Sequence, residues 1–195
     1  MNRRQVLQAG SCTALAAGAG CLGPIYDFRY RVTGSLSRHV TISSVDTVPD
    51  DFPFKYAVDV IAPEITSTQY ARLEIETTNR SESTTDTAAP IYKTASATAG
   101  TAGILLYDIR APDAPSTETE PTCSTSENLN WTLEHQGPTT LEPGESMHTE
   151  YVIADDPSVR GCFPVGEYQF DGIVSYNDGT DRTIEWELSI QLEDA

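Results

Sequence analysis

Apolar and polar residues alternate with period two along most of this chain, the spacing of a half-buried β-strand. Tyr26, Phe28, Tyr30 and Val32 take turns with Asp27, Arg29 and Arg31. His39–Val45 has the length of a second strand. Phe54, Tyr56, Val58 and Val60 alternate, and so do Ala71, Leu73, Ile75 and Thr77. Ile104–Tyr107 is a short apolar run, and Leu129–Leu133 surrounds Trp131. Met147, Thr149, Tyr151 and Ile153 fall on one face, as do Tyr168, Phe170, Val174 and Tyr176. The longest stripe is Ile184, Trp186, Leu188, Ile190 and Leu192, and Asn177-Asp178-Gly179-Thr180 before it has the composition of a hairpin turn. No segment after residue 25 carries a helical period. The pattern predicts an all-β domain over residues 26–195, an antiparallel sandwich of about seven to nine strands, with a barrel as the rival architecture. Two stretches break the alternation: one near 79–101, rich in Thr, Ser and Ala, and one near 111–128, rich in Pro, Thr, Ser and Glu. Both predict long loops.

The first 25 residues follow another rule. Arg3 and Arg4 are followed by an apolar stretch, Val6–Ala19, that holds no acidic residue and then by Gly18-Ala19-Gly20-Cys21. Paired arginines ahead of an apolar run match a twin-arginine export signal. The run is too short and too weakly apolar for a membrane-spanning helix, which needs about 20 predominantly apolar residues. Small residues before a cysteine resemble the lipobox of bacterial and archaeal lipoproteins, although Gly18 stands where that motif usually has Leu or Val. The resemblance implies cleavage before Cys21 and a lipid on its thiol. It divides the chain into a signal segment, 1–20, a short tether, 21–25, and the β-domain. One acyl chain holds a protein at a membrane only marginally, so the implied lipid carries two. An ordinary signal with an incidental Cys21, or an uncleaved amphipathic N-terminus, are the alternatives.

Residues 1–20 hold two of the 12 basic residues and none of the 29 acidic ones, so the remaining 175 residues carry a formal charge of −19. A hydrophobic content of 38 % is too high for a wholly disordered chain, which places that acidity on the surface of a folded body. Such a surface repels nucleic acid, whose binding relies on Lys and Arg neutralising phosphates. The charge serves solubility on the plain reading. Only Lys55 and Lys93 are lysines. An acidic, Lys-poor surface behind a twin-arginine lipoprotein signal resembles haloarchaeal secreted proteins. In molar salt the Debye length falls to about 3 Å and the self-repulsion is screened. In dilute buffer the same charge is expected to destabilise the fold.

Of the four cysteines, Cys12 lies in the signal and Cys21 at its end, leaving Cys123 and Cys162 in the domain. Two cysteines in an exported domain most simply form one disulfide. Two free thiols or a metal pair are the alternatives, with no CxxC and no His at ligand spacing.

The turns carry a second resemblance. Ala71–Asn79 ends in Thr78-Asn79; Leu141-Glu142-Pro143-Gly144-Glu145 precedes one strand and Pro164-Val165-Gly166-Glu167-Tyr168 the next. This order is similar to immunoglobulin-like domains of prokaryotic surface proteins and to the sandwich of the intracellular proteinase inhibitor family of Bacillus. It covers roughly residues 54–192 and implies an immunoglobulin-like sandwich. It implies no site residues, because these motifs shape turns. Over its whole length the chain resembles uncharacterised haloarchaeal lipoproteins.

Signals of chemistry are sparse. His39, His135 and His148 each sit in or beside a strand pattern without convergent ligands. A blue-copper site needs Cys with His and usually Met nearby, and neither His nor Met follows Cys162. The chain has no Gly-x-Ser-x-Gly elbow and no His-Glu-x-x-His. The acidic pairs Asp50-Asp51 and Asp155-Asp156, and Asp178 near Asp181, are expected to be solvated turn acids rather than acid/base or calcium sites. Asn79-Arg80-Ser81 and Asn130-Trp131-Thr132 are N-glycosylation sequons, with Asn79 at a loop edge the better of the two. These readings lead to a non-enzymatic lipoprotein without cofactor, anchored through Cys21 to the outer face of the cell membrane and binding or assembling with other envelope proteins. The alternative is an inhibitor or accessory subunit that presents a loop, such as 111–128, to an exported enzyme.

Overall fold

Strand side chains alternate between faces, so each apolar stripe needs a second layer to cover it. A computed structural model describes residues 29–31, 36–96, 103–124, 137–159, 161–177 and 181–195, and shows how the stripes are paired. The strands are β1 (Arg29–Arg31), β2 (Arg38–Val45), β3 (Phe54–Ala62), β4 (Glu64–Ile65), β5 (Arg72–Asn79), β6 (Thr85–Thr87) and β7 (Lys93–Ala95). They continue with β8 (Ile104–Asp108), β9 (Thr122–Ser124), β10 (Thr139–Leu141), β11 (Ser146–Asp155), β12 (Gly166–Asn177) and β13 (Asp181–Asp194). The described residues contain no helix.

Two antiparallel sheets form the body, one of five strands in the order β3-β5-β11-β8-β7 and one of four in the order β12-β13-β2-β4. Neither closes on itself, so the architecture is a sandwich and not a barrel. Two small ribbons, β1-β9 and β10-β6, lie beside them. The predicted stripes fill the space between the sheets. Phe54, Tyr56, Leu73, Ile75, Tyr151 and Ile153 from one sheet meet Tyr168, Phe170, Trp186, Leu188 and Ile190 from the other. Across the gap, Tyr56 lies 5.4 Å from Trp186 and Phe54 lies 6.2 Å from Tyr176, centroid to centroid. β12 and β13 pair along their whole length up to Asn177↔Asp181, as the hairpin signal predicts.

The turn motifs act as joints. Asn79 at the end of β5 donates its backbone N–H to Glu145 O (2.9 Å) and accepts from Gly144 N–H (2.7 Å). Gly144 holds φ 79°, a left-handed conformation that suits Gly. The Thr78-Asn79 ending and the Leu-x-Pro-Gly-Glu turn, read separately in sequence, are therefore two halves of one connection. The third motif places Tyr168 at the start of β12, where its hydroxyl donates to Pro164 O. A tyrosine bonded back to the backbone just upstream is a corner found in immunoglobulin-like sandwiches. Burial, with the Asp155 carboxylate adding to it, pushes the Tyr168 phenol up to about 12, so it stays a donor.

Both stretches expected to be long loops are more structured than composition suggests. The first contains β6 and β7, and the second contains β9. Between β6 and β7, the chain passes along the open side of the sandwich. Tyr151 Oη donates to Ile91 O (2.8 Å) from one sheet, and Pro90 O comes against Gly172 of β12 in the other. A Cβ at Gly172 would stand 2.8 Å from that carbonyl oxygen. Gly172→Ala is therefore expected to destabilise by about 1–3 kcal/mol through overpacking. An unhindered strand glycine would instead gain about 0.5–1 kcal/mol on the same change. The sign of the shift in a urea-unfolding midpoint distinguishes the two.

Candidate functional site

The residues most closely tied to function by sequence are Arg3, Arg4 and Cys21, and all three lie outside the described residues, as do Asn130 and His135. What the structure does place is the first strand of the domain. β1 pairs with β9 in the register Arg29↔Ser124, Tyr30↔Cys123 and Arg31↔Thr122. β1 is thus hydrogen-bonded to the strand that holds Cys123.

Cys123 and Cys162 form a disulfide, with Cα atoms 5.3 Å apart and a sequence separation of 39. That separation is within the usual range for the bond. Around it, polar groups fix the loop from Asp156 to Pro164. Phe163 takes φ 45°, a left-handed conformation costly for an aromatic residue. Two hydrogen bonds hold it there: its N–H donates to Asp155 Oδ1 (2.8 Å), and its carbonyl accepts from Arg38 Nε (2.8 Å). Asp156 Oδ1 accepts from Ser158 N–H (2.9 Å) and Oγ (2.6 Å). The Asp155-Asp156 pair makes a turn, as expected, but it is buried rather than solvated. The Oδ1 atoms of both residues accept from backbone and hydroxyl donors of the loop, as buried polar groups generally do.

The segment from β8 to β9, residues 109–124, lies over the outer face of the five-stranded sheet. Asp108 launches it. This residue is 0 % exposed and accepts from Arg110 Nε (2.9 Å) and Nη2 (2.6 Å), while Ala111 N–H returns to Asp108 O (2.9 Å). The Asp108 carboxylate holds the Arg110 guanidinium pKa above its ordinary value, against the opposing effect of burial. Further on, Lys93 Nζ of β7 donates to Asp113 Oδ2, and the ammonium stands 4.7 Å from the centroid of the Tyr107 ring. Near the end, Tyr70 Oη accepts from Thr122 N–H (3.3 Å), just before Cys123. Leu105, Tyr107, Val152 and Ala154 point outward from the sheet and are still buried, on the face that Asp113 and β9 reach. It is a packed layer held at both ends. Lys93, Tyr107, Asp113 and the Asp108–Arg110 pair escaped the sequence reading. The one available signal was Lys93 itself, a lysine retained where nearly every other cation is arginine.

The glycosylation expectation for Asn79 does not survive the fold. Its side chain is 0 % exposed, and Nδ2 donates to Ser83 O (2.8 Å) and Leu141 O (2.9 Å). Oδ1 accepts from Ser81 N–H (3.0 Å) and Oγ (2.8 Å). A glycan would have to join at Nδ2, whose two hydrogens are both committed inside the β5–β6–β10 joint. The sequon's Ser81 works here as a turn former.

His39 lies 2.6 Å from Glu64 and His148 lies 3.1 Å from Glu74, each a cross-strand pair near the surface. Arg72 reaches Glu150 at 2.6 Å on the same outer face as His148. Exposed pairs of this kind contribute about 0–1 kcal/mol. Among the described residues, no three His, Cys, Asp or Glu side chains converge as a metal ligand set. No helix among them is long and apolar enough to cross a membrane. No family model matches the chain, and no curated protein or solved structure matches it either.

Proposed function

We propose that this chain is an exported, lipid-anchored envelope protein whose β-sandwich binds or assembles other envelope proteins without catalysing a reaction. The observation that carries the reading is the ordered set Arg3-Arg4, an apolar run free of acidic residues, and Gly18-Ala19-Gly20-Cys21, all within 21 residues. The entry of the chain into the domain supports it. Arg29 stands eight positions after Cys21, a reach of about 30 Å when fully extended. β1 then joins β9 beside the disulfide, so the tether ends on a braced part of the domain. A domain held this way stands close to the membrane with a fixed end toward it, which suits lateral contact with other surface proteins.

The test is fractionation of cells that make the wild-type chain or Cys21→Ala. Wild type is expected in the membrane fraction, released by detergent. Cys21→Ala is expected in the soluble exported fraction. Equal membrane retention of the two would overturn the anchor. Co-purification from detergent-solubilised envelope in high salt then identifies the partner. An inhibitory role would instead show as slowing of a secreted protease by the isolated chain.

A further inference from the structure

Of the two lysines, the fold hides one. The Lys93 side chain is 3 % exposed and lies between the Tyr107 ring and Asp113, whose own side chain is 27 % exposed. Lys93 and Tyr107 are directly opposite in the β7–β8 ladder, and Asp113 descends on them from the excursion. Asp113 Oδ1 is also buried and has no hydrogen-bond partner. Moving an ammonium and a carboxylate out of water costs several kcal/mol per ion, recovered only with full hydrogen bonding. This site falls short on the carboxylate side. Arginine could hold a structural ion pair here as well or better, since it is the preferred cation for buried pairs. Lysine differs in one chemical respect: it can lose a proton and act as a nucleophile.

We propose that Lys93 and Asp113 are a covalent modification site, at which Nζ and Cγ condense to an amide that staples the excursion to β7. In the proposed step the Lys93 ammonium passes one proton across the ion pair to the Asp113 carboxylate, which removes both charges. The neutral amine attacks Cγ. The N–C bond forms, one C–O bond breaks, and that oxygen leaves as water with two protons that began on the nitrogen. Ammonium and carboxylate thus give one amide and one water, with no oxidant, reductant or cofactor. Tyr107 walls one side of the site with its ring. Burial foremost, and the nearby carboxylates of Asp113 and Asp156 after it, raise its pKa and keep its hydroxyl protonated. With the disulfide at Cys123, both ends of the excursion would be fixed covalently.

Peptide mapping of the purified Cys21→Ala chain, unfolded and reduced, tests this directly. The expected result is a branched peptide joining Lys93 to Asp113, one water lighter than the two separate peptides. Lys93→Arg and Asp113→Ala are each expected to abolish it. Asp113→Asn is expected to give the same linked product by losing ammonia. Wild-type protein with Lys93 and Asp113 in unlinked peptides of full mass overturns the proposal, as does water loss mapped to any other pair. The decision rests on the wild-type chain, so a variant that fails to fold leaves it intact.

Discussion

Replacing Cys123 and Cys162 together by Ala is expected to lower the unfolding free energy by about 4 kcal/mol. The estimate follows from the closed loop, 39 residues in sequence, in the chain-entropy model. A loss of that size is a large part of the roughly 5–15 kcal/mol that holds a typical domain together. Denaturant midpoints in high salt, for oxidised wild type and the double variant, measure it. The local consequence is more specific. β1 has β9 as its sheet partner, and β9 is where Cys123 sits. Without the bond, the β1–β9 ribbon is expected to lose hydrogen-exchange protection at Arg29–Arg31 and Thr122–Ser124 before the two large sheets do. If protection falls uniformly instead, the disulfide braces the whole sandwich and not the tether.

That asymmetry between body and excursion also marks what the sequence could convey. The inward stripes were legible because each strand has one covered face, and the period of two records it. Trp186, Leu188, Ile190 and Leu192 lie where alternation puts them. The outward face was harder to read. Val152 and Ala154 occupy positions that alternation assigns to solvent, yet both are buried. The covering segment is Pro-, Thr- and Ser-rich, and its hold on the sheet comes from a few long-range contacts: Lys93–Asp113, Tyr70–Thr122 and Cys123–Cys162. Of these, only the cysteine pair and the rare lysine at 93 had a signature in composition. Ile104–Tyr107 did carry a hint, since an unbroken apolar run belongs to a strand covered on both faces.

Candidate sites divided along the same line. The export and lipid signals are local and linear, so they can be read without a fold. Asn79 shows the reverse case. Its sequon is a linear pattern, but whether the amide is reachable depends on Ser83 and Leu141, four and 62 residues away. Burial of Asp155 and Asp156 likewise follows from Phe163 and Ser158 claiming their oxygens, which the dipeptide alone does not reveal.

Trp186→Ala is expected to be the most damaging single truncation in the core, at about 3–5 kcal/mol. The residue is 1 % exposed in β13, the strand flanked by β12 and β2. Its ring faces Tyr56 across the sandwich, and its Nε1–H donates to Asp46 O (3.1 Å) at the end of β2. Truncation removes three things together: the inter-sheet contact, the donor to Asp46, and the volume that keeps the gap filled. The hydrogen bond contributes only about 0.5–1.5 kcal/mol of this. Trp186→Phe therefore separates the parts, keeping a ring in the gap while deleting the donor, and is expected to lose less than half as much as Ala. The opposite side of the contact is already under-satisfied, since Tyr56 Oη is buried without a hydrogen-bond partner. Burial raises the Tyr56 pKa, so its phenol stays neutral and adds no charge penalty. Tyr56→Phe is accordingly expected to be neutral or slightly stabilising, because it removes an unpaired polar atom from the core. Equilibrium unfolding of the three variants, followed by circular dichroism in high salt, gives the ranking. If Phe at 186 costs as much as Ala, the bond to Asp46 within the β13–β2 sheet, and not the packing against Tyr56 of the other sheet, dominates what Trp186 contributes.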